Sequence, residues 1–158
     1  MPKKILFVCL GNICRSPAAE NIMNHLIEEA GLSDRFICDS AGTGGWHVGA
    51  PPDRRMRAAA QQRGMNFVGA ARQFEASDLR EFDLILAMDN DNYRNILALD
   101  PQGKFVDKVK MMCDYCETYK DTEVPDPYYG NEKEFEDVFQ LIYKACDKLT
   151  DELILNKK

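Results

Sequence analysis

Two kinds of apolar pattern alternate along this chain. Short stretches over residues 4–9, 35–40, 83–88 and 106–112 predict four strands, the first and third near-continuous apolar runs buried on both faces. Between them, apolar residues return every three or four positions, which is the helical period. Residues 17–30 predict a helix in which Ile22, Met23, Leu26, Ile27 and Ala30 form one inward stripe. Ser16 is its expected N-cap, Pro17 suits the first helical position, and Gly31 is the expected stop. Residues 54–63 predict a second helix halted by Gly64, with shorter helices at 79–82 and 91–99. A final helix over 133–153 turns Phe135, Val138, Phe139, Ile142, Cys146 and Leu149 inward. The segments 41–52 and 117–131 read as loops. This alternation predicts an α/β fold: a parallel sheet with helices on both faces and right-handed crossovers. Such sheets bind ligands beyond the carboxyl ends of their strands, where strand order reverses. The loop after the first strand occupies that place.

Composition narrows the setting. The 158 residues are read as one domain, 1–158, with room for a substantial core. With 26 acidic against 20 basic residues and a net charge of −6, no nucleic acid and no anionic membrane surface are expected as partners. A local cradle can still oppose the global sign and hold an anion. Lys3-Lys4 ahead of Ile5 to Leu10 mimics a signal peptide, but Gly11-Asn12 interrupts the run, so it reads as a buried strand. No run is long enough to cross a membrane, and a cytoplasmic location with reduced thiols is expected. Cys38 and Cys146 sit in apolar contexts that suit a core. Cys113 and Cys116 have C-x-x-C spacing, but His25 and His47, the only histidines, make no ligand pair. Those cysteines read as structural or incidental, and no metal or cofactor is expected.

The chemistry concentrates in Val8-Cys9-Leu10-Gly11-Asn12-Ile13-Cys14-Arg15-Ser16-Pro17. A short loop running into a helix turns its backbone N–H groups inward and cradles an anion. Cys9, at the end of a strand and inside that cradle, is favoured as a thiolate. Arg15 offers a planar fork matched to phosphate oxygens. The spacing of Cys9 and Arg15 is weak alone; its place between a buried strand and a helix start makes it specific. Cys9 is then the nucleophile that forms a phosphocysteine, and Leu10, Gly11, Asn12, Ile13, Cys14 and Ser16 complete the phosphate-binding loop. Ser16 is placed to donate a hydrogen bond to the thiolate, and Asn12 to brace the loop. Asp126, between Pro125 and Pro127, is the candidate general acid and then base, its direction set by the stiff Pro-Asp-Pro backbone. Trp46, Tyr128 and Tyr129 lie in loops and can flank an aryl phosphate. Ser40, after the second strand, is placed to bond the Cys9 loop. Asp89, after the third, is placed to accept from a neighbouring loop or to cap the next helix. Cys14 is a redox partner that can capture an oxidised Cys9 as a disulfide.

At these residues the chain resembles the low-molecular-weight protein tyrosine phosphatases. The likeness rests on the Cys9 loop, on Asp39-Ser40-Ala41-Gly42-Thr43-Gly44-Gly45-Trp46-His47-Val48-Gly49, and on Val124-Pro125-Asp126-Pro127-Tyr128-Tyr129-Gly130. The resemblance spans nearly the whole chain. It implies Cys9 as nucleophile, Arg15 as phosphate binder and Asp126 as proton donor. It also implies a four-stranded parallel sheet in the flavodoxin-like order 2-1-3-4 and no metal requirement. The expected substrates are phosphotyrosine-containing proteins or small aryl phosphates, with inorganic phosphate as product. One departure is visible: Asp53-Arg54-Arg55 stands where many members carry Asp-Pro-Arg. Two other readings share the Cys9 loop. A thioredoxin-coupled arsenate reductase would need relay cysteines near the end of the third strand, where Ala87-Met88-Asp89-Asn90-Asp91 has none. A phosphate-binding module without turnover would not call for the full set of Cys9, Arg15 and Asp126.

Overall fold

The computed structural model describes residues 1–115 and 123–155. Cys116, the second cysteine of the C-x-x-C pair, and the segment 117–122 of the expected loop lie outside them. Four strands form one parallel sheet: β1 (Lys3–Cys9), β2 (Phe36–Gly42), β3 (Leu84–Ala87) and β4 (Val109–Met111), in the spatial order β2-β1-β3-β4. The α-helices are α1 (Arg15–Glu29), α2 (Arg54–Gln61), α3 (Asp78–Glu81), α4 (Asn90–Leu97) and α5 (Glu132–Leu155). The expected fold class and strand order are therefore those observed.

β1 is central because both of its faces are apolar. Successive strand residues point to opposite sides. Ile5, Phe7 and Cys9 join α1 and α5 in one core, against Ile22, Met23, Phe135, Phe139 and Ile142. Leu6 and Val8 join the opposite core with Phe74, Leu79, Phe82, Ile85 and Ile96. A strand buried on both sides cannot slip register without burying the wrong residues. Its pairing is accordingly complete: Lys3 lies opposite Phe36 and Cys9 opposite Gly42, while Ile5 to Val8 lie opposite Leu84 to Ala87. This register delivers Cys9, Gly42 and Ala87 to one edge of the sheet. The order reverses between β2 and β3 across β1, so the loop after β1 opens where helices on opposite faces diverge.

The helix boundaries follow local chemistry, with corrections. Gly31, at φ 72°, ends α1 in a Schellman motif: Gly31 N–H donates to Glu28 O and Leu32 N–H to Ile27 O at 2.9 Å. At its start, Ser16 is not the cap. The helix begins two residues earlier than expected, at Arg15, and Cys14 occupies the cap position without a side-chain hydrogen bond. Pro17 stands third in the helix, where its missing N–H is still no loss. Ser16 thus turns its hydroxyl into the site instead of onto the helix. Ala30, expected on the buried stripe, is exposed because the helix has reached its last turn. β2 extends through Ala41 and Gly42, which had read as loop; their pairing with Val8 and Cys9 overrides the weak strand propensity of Ala and Gly. The expected fourth strand over 106–112 is shorter: residues Val106–Lys108 form a 3-10 turn before β4, and Met112–Tyr115 form another after it. β4 pairs only with β3, and its side chains cover less of the core than a central strand's would.

Candidate active site

The loop between β1 and α1 reverses the chain through Asn12, which has φ 57°, the one non-glycine residue with positive φ among those described. Asparagine tolerates that region through local side-chain bonding. Here each polar atom of its amide is engaged. Arg72 N–H donates to Asn12 Oδ1 at 2.9 Å, which fixes the amide's orientation. Its Nδ2 then donates to Ser16 Oγ at 2.8 Å and to Ser40 Oγ at 2.9 Å, using both hydrogens. Each hydroxyl has one hydrogen left. That of Ser40 goes to Glu20 Oε1 at 2.5 Å. That of Ser16 has Cys9 Sγ at 3.0 Å and the Ala41 carbonyl at a longer 3.4 Å. The Cys9 sulfur therefore receives the Ser16 hydrogen bond, together with one from Asn12 N–H at 3.3 Å. Two donors converging on one sulfur are the arrangement that suits an anion.

Arg15 is 2% exposed. An unpaired guanidinium so placed would be strongly unfavourable. Its Nη1 donates to Asp89 Oδ2 at 2.6 Å and to the Val124 carbonyl at 3.0 Å, while Nη2 stands 3.5 Å from Asp126 Oδ2. Burial alone would lower the Arg15 pKa, but Cys9, Asp89 and Asp126 outweigh it and the net shift is upward. Asp89 makes both contacts considered for it: Oδ2 holds Arg15, and Oδ1 caps α4 by accepting from Asn92 N–H at 2.8 Å. Val124 also donates to the Met88 carbonyl at 2.8 Å, so the Asp126 segment is tied to the end of β3 two residues before the carboxyl. Asp126 Oδ1 accepts from Tyr128 N–H at 3.1 Å, a local turn that directs the side chain.

Cys9, Leu10, Gly11, Ile13, Cys14 and Arg15 line the floor of a cavity of about 360 Å³, and Asp126 faces it from the side. Trp46 and Tyr129, 74% and 97% exposed, rise at the rim with Tyr128, whose ring meets Tyr129 edge-on at 4.9 Å. Cys14 is buried beside Cys9, and burial, reinforced by Asp53 and Cys9, pushes its thiol far above the ordinary range. Every candidate site residue named from the sequence lies at this cavity or within the hydrogen-bond network beneath it.

Four participants escaped the sequence reading. Glu20 lies four residues beyond Ser16, hence on the same helical face, and that spacing was a usable signal. His47 lines the cavity and packs on Gly11, where an added Cβ would stand 3.0 Å from the ring; its only signal was adjacency to Trp46. Arg72 and Val124 act through backbone atoms and carried none. At the end of β3, the position where relay cysteines would stand holds Asp89, engaged with Arg15 and the α4 cap. Cys113 is buried in the turn after β4. Among the described residues no group of three or more His, Cys, Asp or Glu is arranged to hold a metal ion.

Known proteins resemble this chain in sequence and fold. The family model described as low molecular weight phosphotyrosine protein phosphatase matches residues 4–158. A relative from Synechocystis is 61% identical over 150 residues, covering 95% of this chain and 96% of its own. The low molecular weight protein-tyrosine-phosphatase YfkJ of Bacillus subtilis is 44% identical, with 92% of each chain covered. The crystal structure of a protein tyrosine phosphatase from Entamoeba histolytica, with Hepes in the active site, superposes with a TM-score of 0.92 at 47% identity, covering 99% of both chains.

Glu20 yields a prediction. Burial raises its carboxyl above the ordinary 4.5, with Asp39 adding to the shift and the Ser40 hydrogen bond and Arg72 opposing it. A raised folded value means that the protonated carboxyl stabilises the fold below the unfolded pKa, and that this contribution is lost as pH rises through the folded one. Glu20→Gln keeps an acceptor for Ser40 and never ionises. Its urea midpoint is expected to match the parent near pH 4 and to exceed it at pH 7. A difference independent of pH would contradict the assignment.

Proposed function

The chain belongs to the low molecular weight phosphotyrosine protein phosphatase family, and on that premise we propose that it hydrolyses aryl phosphate monoesters, phosphotyrosine in proteins above all, through a phosphocysteine on Cys9. The observation that carries this reading is the Cys9 sulfur at the cavity floor, receiving hydrogen bonds from Ser16 and Asn12, with Arg15 and Asp126 beside it.

The substrate's phosphoryl group enters the loop with its oxygens toward the loop N–H groups and Arg15, whose Nη1 is already held in place by Asp89 and Val124. Preorganised donors of this kind stabilise the charge that spreads over the transferring group without reorganising. The Cys9 sulfur attacks phosphorus in line, and the S–P bond forms as the P–O bond to the phenol breaks. Asp126 gives its proton to the departing oxygen, which would otherwise leave as phenolate. The same carboxylate then takes a proton from water attacking the phosphocysteine. The S–P bond breaks, inorganic phosphate leaves, and the thiolate and acid are restored. Trp46, His47, Tyr128 and Tyr129 bound the space above the loop, an aromatic enclosure that suits a phenyl ring.

Cys14 has a second use in this reading. Peroxide converts the Cys9 thiolate to a sulfenic acid. The neighbouring Cys14 thiol condenses with it, forming the disulfide and releasing water, and so halts oxidation before the irreversible sulfinic acid.

Three outcomes test these roles. Cys9→Ser is expected to lower p-nitrophenyl phosphate turnover by ~1,000-fold or more while phosphate still binds, as titration would read; near-normal turnover would remove Cys9 as nucleophile. Asp126→Ala is expected to slow basic phenols by about 100-fold or more and good leaving groups far less, since only the former depend on protonation. A loss equal across leaving groups defeats the acid role. After brief peroxide treatment, Cys14→Ser is expected to regain less activity with dithiothreitol than the parent; identical recovery speaks against the disulfide.

A further inference from the structure

The start of α2 carries two adjacent arginines, Arg54 and Arg55, near the catalytic cavity. Asp53 N–H donates to the Ile13 carbonyl at 2.7 Å, so the start of α2 is tied directly to the phosphate loop. Asp53 caps the helix, and its carboxylate grips Arg55 through Nε at 3.1 Å and Nη2 at 3.0 Å. Arg55 lies between the rings of Tyr128, at 5.4 Å, and Phe135, at 4.4 Å. Tyr128 lines the catalytic cavity, and Arg55, against its ring, also lines a separate groove of about 560 Å³ that Arg54 shares with the first turn of α5.

The two arginines differ in what they have left to offer. Arg55 is committed to Asp53 and two rings. Arg54 is exposed and makes no ion pair among the described residues. In the same groove Lys133 is paired with Asp137, and Glu136 with Arg63; Glu132 does not close on Arg54. Among the described residues Arg54 is thus left open in a concave surface that meets the rim of the active site through Arg55 and Tyr128.

We propose that Arg54 is a specificity-determining residue that binds an acidic side chain of the substrate polypeptide, a few residues from its phosphotyrosine, in the groove that it shares with Arg55. This rests on the phosphatase reading and adds a substrate class to it: phosphotyrosine in an acidic context. The whole chain's negative charge would disfavour such substrates, and Arg54 opposes that bias locally. The interaction is solvent-exposed, so its effect is modest and salt-dependent.

The test compares kcat/KM on three synthetic phosphotyrosine peptides: one neutral, one with Glu on the N-terminal flank and one with Glu on the C-terminal flank. The parent is expected to favour one acidic peptide over the neutral one by about two- to five-fold at low salt. Arg54→Ala is expected to abolish that ratio, Arg54→Glu to invert it, and Arg54→Lys to preserve most of it. Using ratios cancels any general effect of the substitution on folding or turnover. Ratios unchanged in Arg54→Ala and Arg54→Glu, or no acidic preference in the parent, overturn the proposal while leaving the phosphatase reading intact. Absence of turnover by the parent on every peptide and on p-nitrophenyl phosphate overturns both.

Discussion

One side-chain amide organises this site. Asn12 sits at φ 57° in the loop after β1, and its three polar contacts join the loop to α1, to β2 and to the backbone at Arg72. Because Arg72 N–H occupies its oxygen, both amide hydrogens point toward serines. Because those serines already accept from Asn12, their own hydrogens must go elsewhere, to Glu20 and to the Cys9 sulfur. The orientation of the amide, and so which of its atoms meets the two serines, is thus set by one backbone N–H. Buried polar networks rigidify a site when every member is satisfied, and this one is.

Arg15 sets the second constraint. A guanidinium this buried must be compensated, and the compensating groups come from two other parts of the fold. Asp89 comes from the start of α4, the Val124 carbonyl from the segment before α5, and Asp126 from the same segment at the cavity wall. Arg15 is thereby the cross-link that holds Asp89 and the Val124–Asp126 segment together at the cavity. Its contribution to stability is small or negative by itself, since desolvation offsets much of the attraction. Its value lies in geometry: removing it would leave the Asp89 oxygen and a buried carbonyl unsatisfied and would release the Asp126 segment from its anchor.

Much of this was legible beforehand. The two-faced apolar pattern of residues 5–8 marked a central strand, and the spacing of Phe135, Val138, Phe139, Ile142, Cys146 and Leu149 marked a helix lying on it. Cys9, Arg15 and Asp126 could be singled out by residue type, and the fold brings all three to one cavity. Ser16 shows where local rules fell short. A Ser-Pro pair is an N-cap signal, but the helix starts at Arg15 because Arg15 must reach inward to Asp89 and Val124, and the serine hydroxyl is drawn to Cys9 and Asn12 instead. Ala41 and Gly42 were drawn into β2 by pairing with β1, and Val106–Lys108 were left out of β4 because only β3 offers that strand a partner.

By itself the sequence determined the element types, the parallel sheet and the residues able to do the chemistry, because apolar periodicity and side-chain reactivity are properties of neighbouring positions. Only the tertiary structure decided which hydroxyl meets the sulfur, that Glu20 ends the network, that a backbone carbonyl at Val124 holds Arg15, and that Arg54 faces a groove with no ion-pair partner among the described residues. Those outcomes depend on backbone atoms and side chains far apart in the chain. Backbone N–H and C=O groups are the same at nearly every position, so where they bond is settled only when the chain has packed.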